Sequence, residues 1–429
     1  MKKTYIAVAI AAAAVVVGYG GVKQVSYQDH VRVGIENLVE QLNDTTILGE
    51  QFDVTVKSQQ GGLMSSSGVI LLNDSNTRRP TEFQVEYRVN HGLATLLAGP
   101  SYTAKITNPV MKGNDEKTIT SLVLDGQPVV VEGYMKGDSI DGEMIIPNID
   151  FAENGSALTV KPIAVEFSVD SFDEEGRPEN FELTANMPKF MLKERHSVIG
   201  LSGGKLFMNN SFDGEEGEGQ ATIEIAEASI EGVSIKSFGI DIASKVDDEF
   251  TTSLAVNLGR LEGEGQSLSD GELKYKISGL DGKAVVKLLE VAQDGARYGW
   301  SDREIKQAAE GVMNERADQL LAQNPQFELQ SFQFKQNGVD IINASGVAKL
   351  DAEKLPEHYI QDGLKSRRGP NPQALMNAAF VDFSASFGKE AKDLVGMFNP
   401  MVGAMLEQNG DQFTFKLEKG QMTMNGDKI

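Results

Sequence analysis

The pentapeptide Gly200-Leu201-Ser202-Gly203-Gly204 fits G-x-S-x-G, a pattern in which a strained strand-to-helix turn exposes a serine nucleophile above a parallel sheet. Lys205 to Asn210 come next, then an acidic, Gly-rich stretch, with no helical pattern in either. Only His358 lies downstream to complete a Ser, Asp, His order. The pentapeptide therefore reads as a Gly-rich β-turn, and a serine hydrolase built on Ser202 ranks third among the functional readings. The four histidines, His30, His91, His196 and His358, are too scattered for a local zinc pair and read as turn or surface residues. Asp213, Glu215, Glu216 and Glu218 could gather around calcium but lack the ligand spacing of an EF-hand loop, so a solvated turn is expected. Carboxylates abound, yet nothing singles out a pair facing a sugar, and no glycine pattern for a nucleotide lies between a strand and a helix. The chain has no cysteine, which excludes thiol catalysis, Cys-ligated zinc, iron–sulfur clusters and lipid attachment through an N-terminal Cys. The expectation is a protein with no catalytic, cofactor-binding or metal-binding residues, not an enzyme.

Composition narrows the partners. Among 429 residues the formal net charge is −22, which repels phosphate backbones, so nucleic acid is not an expected partner. With 40% hydrophobic and 24% charged residues the chain should fold as an ordinary globular protein, large enough to need no disulfide.

Position in the cell is read from the first residues. Lys2 and Lys3 precede an apolar run from Tyr5 to Val22, the charge order of a segment whose N-terminus stays cytoplasmic while the rest of the chain is exported. The stretch Ile6 to Val17 has the length of a signal-peptide core, and the whole run approaches the ~20 residues that span a bilayer. Gly18 and Gly20 around bulky Tyr19 make a poor cleavage site. A single-pass anchor in a bacterial inner membrane over residues 1–24, with the body in the periplasm, is therefore expected. The alternative is a soluble periplasmic protein after cleavage.

Beyond the anchor, Val31, Ile35, Leu38 and Leu42 recur at helical spacing from about Gln28. From Phe52 the period becomes two. Phe83, Val85, Tyr87 and Val89 alternate with polar residues, as do Val165, Phe167 and Val169, then Ile223 and Ile225, Phe332 and Phe334, and Phe413, Phe415 and Leu417. Asp125-Gly126, Asp141-Gly142, Asp213-Gly214, Asp281-Gly282 and Asn337-Gly338 read as turns between antiparallel strands. A loose repeat of roughly forty residues sets EMIIPNIDF, from Glu143, beside TANMPKFML, from Thr184, and IEIAEASIE, from Ile223, each a hairpin pair in one growing sheet. Helices are expected over about 283–323, where Ser301 and Glu304 make a capping box and Asn324-Pro325 ends the run, and again on either side of Asn399-Pro400. A terminal hairpin turns at Gly420.

The expected fold is α+β and β-dominated: large twisted antiparallel sheets of meanders and hairpins, helices near the N-terminus and in the C-terminal third, and an N-terminal membrane-anchor helix. Residues 25–280 form a mainly antiparallel β region and 281–429 a mixed α+β region. Apolar strand faces must be covered by another layer, by a partner, or by acyl chains. The first functional expectation is thus a non-enzymatic, membrane-anchored envelope protein that binds lipid or another hydrophobic ligand. The alternative is a homo-oligomeric structural or interaction module.

Several segments together resemble the YdgA/YihF-like proteins, a bacterial envelope family of unknown function. They are the N-terminal anchor, GGLMSSSGVILL from Gly61 to Leu72, Asn90-His91-Gly92 after a strand, Gln323-Asn324-Pro325-Gln326-Phe327 leading into a strand, and Lys419 to Gly426. After His91-Gly92 this chain has Leu93 where the family often shows proline. The resemblance implies an inner-membrane-anchored periplasmic protein that self-associates, with no established reaction or ligand.

Overall fold

A computed structural model describes residues 35–36, 39, 52–62, 64–74, 81–91, 99–111, 127–136, 139–153, 156–172, 178–194, 197–213, 216–263, 265–297, 300–365, 370–388, 391 and 412–428. It is β-dominated, every pairing among the described strands is antiparallel, and the helices are few, as the alternating patterns require. The anchor segment, Asp125-Gly126 and the helices around Asn399-Pro400 lie outside the described residues.

The chain forms two compact units. Unit 1 comprises Met1–Asn209 and Gln293–Ser301. Strands β1 (Phe52–Gly61), β2 (Ser65–Asp74), β3 (Thr81–Asn90), β4 (Ser101–Met111), β5 (Val129–Lys136) and β6 (Ser139–Ile146) pair in chain order. The sheet then continues through β9 (Ile163–Phe172) to β10 (Pro178–Glu194), whose later residues pair with β8 (Ser156–Val160), itself paired with β7 (Ile149–Glu153). One sheet face carries a closed core of Val54, Ile70, Val85, Tyr87, Val89, Tyr102, Val131, Ile140 and Phe167. Ile35 is fully buried in it and Val39 packs against it, while Val31, Leu38 and Leu42 of the expected helical stripe lie outside the described residues.

Asp141-Gly142 is not a turn. Both residues lie inside β6, with Asp141 opposite Ser168 and Gly142 opposite Phe167. The glycine is there for space: a Cβ on it would collide with the Tyr102 hydroxyl and the Phe167 ring. Asp281-Gly282 is not a hairpin turn either. Asp281 ends a strand and its Oδ1 accepts the Ala284 N–H at 2.8 Å, capping a helix that starts at Gly282. The forty-residue repeat also fails as a unit, because EMIIPNIDF is split between β6 and β7 whereas TANMPKFML lies wholly within β10.

Unit 2 comprises Asn210–Ala292 and Asp302–Ile429. It is a meander of β12 (Glu216–Ile230), β13 (Val233–Val246), β14 (Glu249–Gly263), β15 (Gln266–Asp281), β16 (Gln326–Gln336), β17 (Val339–Leu350), β18 (Ala379–Phe387), β19 (Gln412–Glu418), β20 (Gln421–Met424) and β21 (Asp427–Lys428). Helices α1 (Gly282–Arg297) and α2 (Asp302–Leu320) follow β15, and α3 (Tyr359–Lys365) and α4 (Pro372–Ala378) precede β18. The turns at Asn337-Gly338 and Lys419-Gly420 have positive φ at both residues, the mirror-image turn that suits strand twist.

Candidate functional site

Following the partner residues across unit 2 exposes its division into two faces. One row reads Ala221, Ile242, Leu254, Tyr275, Leu329, Gly346, Phe383, Phe415, Met424 from β12 to β20. The next reads Ile223, Ile240, Val256, Leu273, Phe332, Ala344, Ala385, Phe413. Neither row holds a charge. Aromatic rings knit the face together: Tyr275 to Phe327 at 5.8 Å, Phe332 to Phe334 at 5.4 Å and Phe383 to Phe413 at 6.4 Å between centroids. The Phe334 and Phe383 rings fill the space over Gly271 and Gly346.

The opposite face is polar and internally paired. Thr222 Oγ1 donates to Asp241 Oδ1 at 2.9 Å, and Lys274 Nζ donates to Glu272 Oε2 at 2.6 Å. The Lys274 bond, and after it one from Ser331, holds the Glu272 carboxyl below its ordinary range.

The apolar face is not closed like the unit 1 core. Among the described residues of unit 2, the buried side chains larger than alanine are Val246, Tyr359 and Leu417. Along the rows the side chains other than Ala344 and Ala385 are half-buried or exposed, Ile223 and Ile242 each remaining 38% exposed, and Phe327 beside them is 44% exposed. This apolar track is the candidate site. Its width from β12 to β20 is eight strand spacings, or ~38 Å.

At one row the regular ladders are interrupted in all three hairpin partners. Ala226, Ser237, Gly259 and Asp270 would be partners by register, yet none of the three pairs forms. Ser237 (φ 55°) and Asp270 (φ 50°) both adopt left-handed backbone there. Past this crease the apolar residues change parity: Ala228, Ile235, Leu261 and Leu268 form the next row, while Lys236 and Arg260 take the alternate positions. A left-handed residue within a strand places two consecutive side chains on one side, so the parity change lets the apolar track continue.

The residues singled out from sequence do not converge on the track. Ser202 lies inside β11 (Ser197–Asp213), in neither a strand-to-helix elbow nor a β-turn, although Gly203 has φ 62°. Glu216 and Glu218 open β12, both exposed, and with Asp247 they hold the Lys245 ammonium above its ordinary range, the Asp247 hydrogen bond being the largest cause. Gly214 and Glu215 lie outside the described residues, as do His30 and His196. His358 is exposed beside Asp318, at 3.6 Å. No group of metal-ligating side chains occurs among the described residues.

His91 is more than a surface histidine. Its Nε2 is 2.8 Å from Oγ of Ser66, a serine only 2% exposed, and its backbone N–H donates to the Met64 carbonyl. Sequence reading missed this pair because the partners are 25 residues apart and meet only through the β2–β3 register, which sets Ser66 opposite Val89. On the outer face of unit 1, Glu132, Glu143 and Glu166 stand directly opposite one another on three adjacent strands, lining a cleft with Asp141 and Glu182.

A family model described as "Bacterial protein of unknown function (DUF945)" matches residues 1–429, so the chain belongs to that family. No curated protein and no solved structure gives a significant match.

Proposed function

We propose that this DUF945 member, a YdgA/YihF-like envelope protein, is held at the bacterial inner membrane by residues 1–24 and binds acyl chains along the unit 2 track without catalysing a reaction. The observation that carries this reading is the uncharged, half-exposed apolar face running unbroken over nine strands. One leaflet of a bilayer is ~15 Å of hydrocarbon, so a single acyl chain laid along the strands would cover about four to five residues of each at ~3.3 Å per residue. A second copy laid on the same face is disfavoured, since two chains of net charge −22 repel at long range. An uncharged chain meets no such barrier. The apolar run of residues 5–22 behind Lys2 and Lys3 would tether the chain at a lipid reservoir.

The test is lipid analysis of the full chain purified from membranes. Solvent extraction and mass spectrometry of the wild type should recover lipid that Val256→Glu, in the middle of the track, loses and Thr222→Glu, on the opposite face, retains. Equal lipid in all three would remove the reading.

A further inference from the structure

The two ends of the track are unlike. At one end the strands run into helices: the Gly282 N–H at the start of α1 donates to the Asp248 carbonyl, and Glu249 Oε1 accepts the Gly279 N–H at 2.6 Å. Charged Lys245, Asp247 and Glu249 stand there. At the other end lie the β12–β13, β14–β15 and β16–β17 hairpin tips. They are held side by side, because Val233 packs where a Cβ on Gly263 would sit and the Asn337 N–H donates to the Ser267 carbonyl at 3.0 Å.

Two features of that end have no role in a closed core. The crease at Ser237 and Asp270 carries the apolar register on toward the tips, ending in the pair Ile230 and Val233, directly opposite one another across the Glu231-Gly232 turn. The tips then present branched aliphatic side chains to the outside: Ile230 is 48%, Val233 37% and Val339 63% exposed. All three flank two-residue turns, Ile230 and Val233 at Glu231-Gly232 and Val339 at Asn337-Gly338.

We infer that the hairpin-tip end of unit 2 is the port through which an acyl chain of a membrane phospholipid passes onto the track, with Ile230, Val233 and Val339 its first contacts. This rests on the acyl-chain reading of the track. The crease serves the port by extending the uncharged path from the Val256 row to the turn at Glu231-Gly232, so a chain can slide in lengthwise without crossing Lys236 or Arg260.

The full chain, produced in bacterial cells grown on radioactive phosphate, tests the port by site-specific photocrosslinking. A benzophenone amino acid placed at 233, 339 or 256 should capture labelled phospholipid on illumination, and one at 222 should not. With Val233→Glu and Val339→Glu installed, capture at 256 after a short labelling pulse should be lost, while the protein level is unchanged. Capture at 256 with none at 233 or 339, or capture at 256 unaffected by the two tip substitutions, overturns the port and leaves the track reading standing. Absence of capture at 256 removes the track reading, and the port with it, whatever happens at the tips.

Discussion

Ser237 Cβ lies 2.8 Å from where a Cβ on Gly259 would stand, and this approach marks the row at which the unit 2 ladders break and the apolar register changes parity. Gly259→Ala forces the two strands apart at that row, since the Lys236 carbonyl of the same neighbouring strand is also only 3.0 Å from the added methyl. The expected cost is about 1–3 kcal/mol of unfolding free energy, typical of overpacking. Chemical denaturation of the full chain measures it.

Ser66 and His91 give a second prediction. Removing the imidazole leaves a buried hydroxyl without its partner, so His91→Ala should destabilise by about 1–3 kcal/mol, more than Ser66→Ala at about 1 kcal/mol. A double-mutant cycle should show coupling between them, because they share one hydrogen bond. Strict additivity would mean that the bond contributes nothing.

The strand pattern was legible because alternation is a local signal, and β3, β9, β12, β16 and β19 fall where Val85, Phe167, Ile223, Phe332 and Phe415 repeat at every second residue. Asn337-Gly338 was legible for the same reason, since its positive φ values are a property of the dipeptide. Gly142 was misread as a turn because its cause lies elsewhere, in the Tyr102 ring two strands away. The crease could not be seen in any one strand. A parity change within a single alternating segment looks like its end, and only the coincidence of Ala226, Ser237, Gly259 and Asp270 in one row shows that the apolar face goes on.

Glu143 stands between Glu132 and Glu166 on neighbouring strands, and like charges directly opposite cost stability. Glu143→Lys should therefore stabilise unit 1 by roughly 0.5–2 kcal/mol, at about 0.2–1 kcal/mol for each cross-strand pair converted. All three carboxylates are exposed, so the gain should shrink as salt is added.

Alkali should weaken unit 1. Burial is the main cause that pushes the Tyr87 phenol up to about 12 from 10.0, and it holds Tyr102 higher still. Each folded phenol keeps a proton that the unfolded chain has released. Their stabilisation is therefore complete below pH 10.0 and is lost as pH rises through about 12. Denaturant midpoints followed across that range should fall, and Tyr87→Phe should flatten the decline.

An apolar chain bound on one face of the unit 2 sheet must lie close to some side chains and far from their immediate neighbours in sequence. The protein has no cysteine of its own, so Leu254→Cys and Ser253→Cys each give the full chain a single attachment point for a nitroxide, on adjacent residues that face opposite sides. A nitroxide-bearing stearate added to the two labelled proteins should broaden the spectrum of the label at 254 and leave that at 253 unchanged. Equal broadening at both positions, or none at 254, would contradict the account.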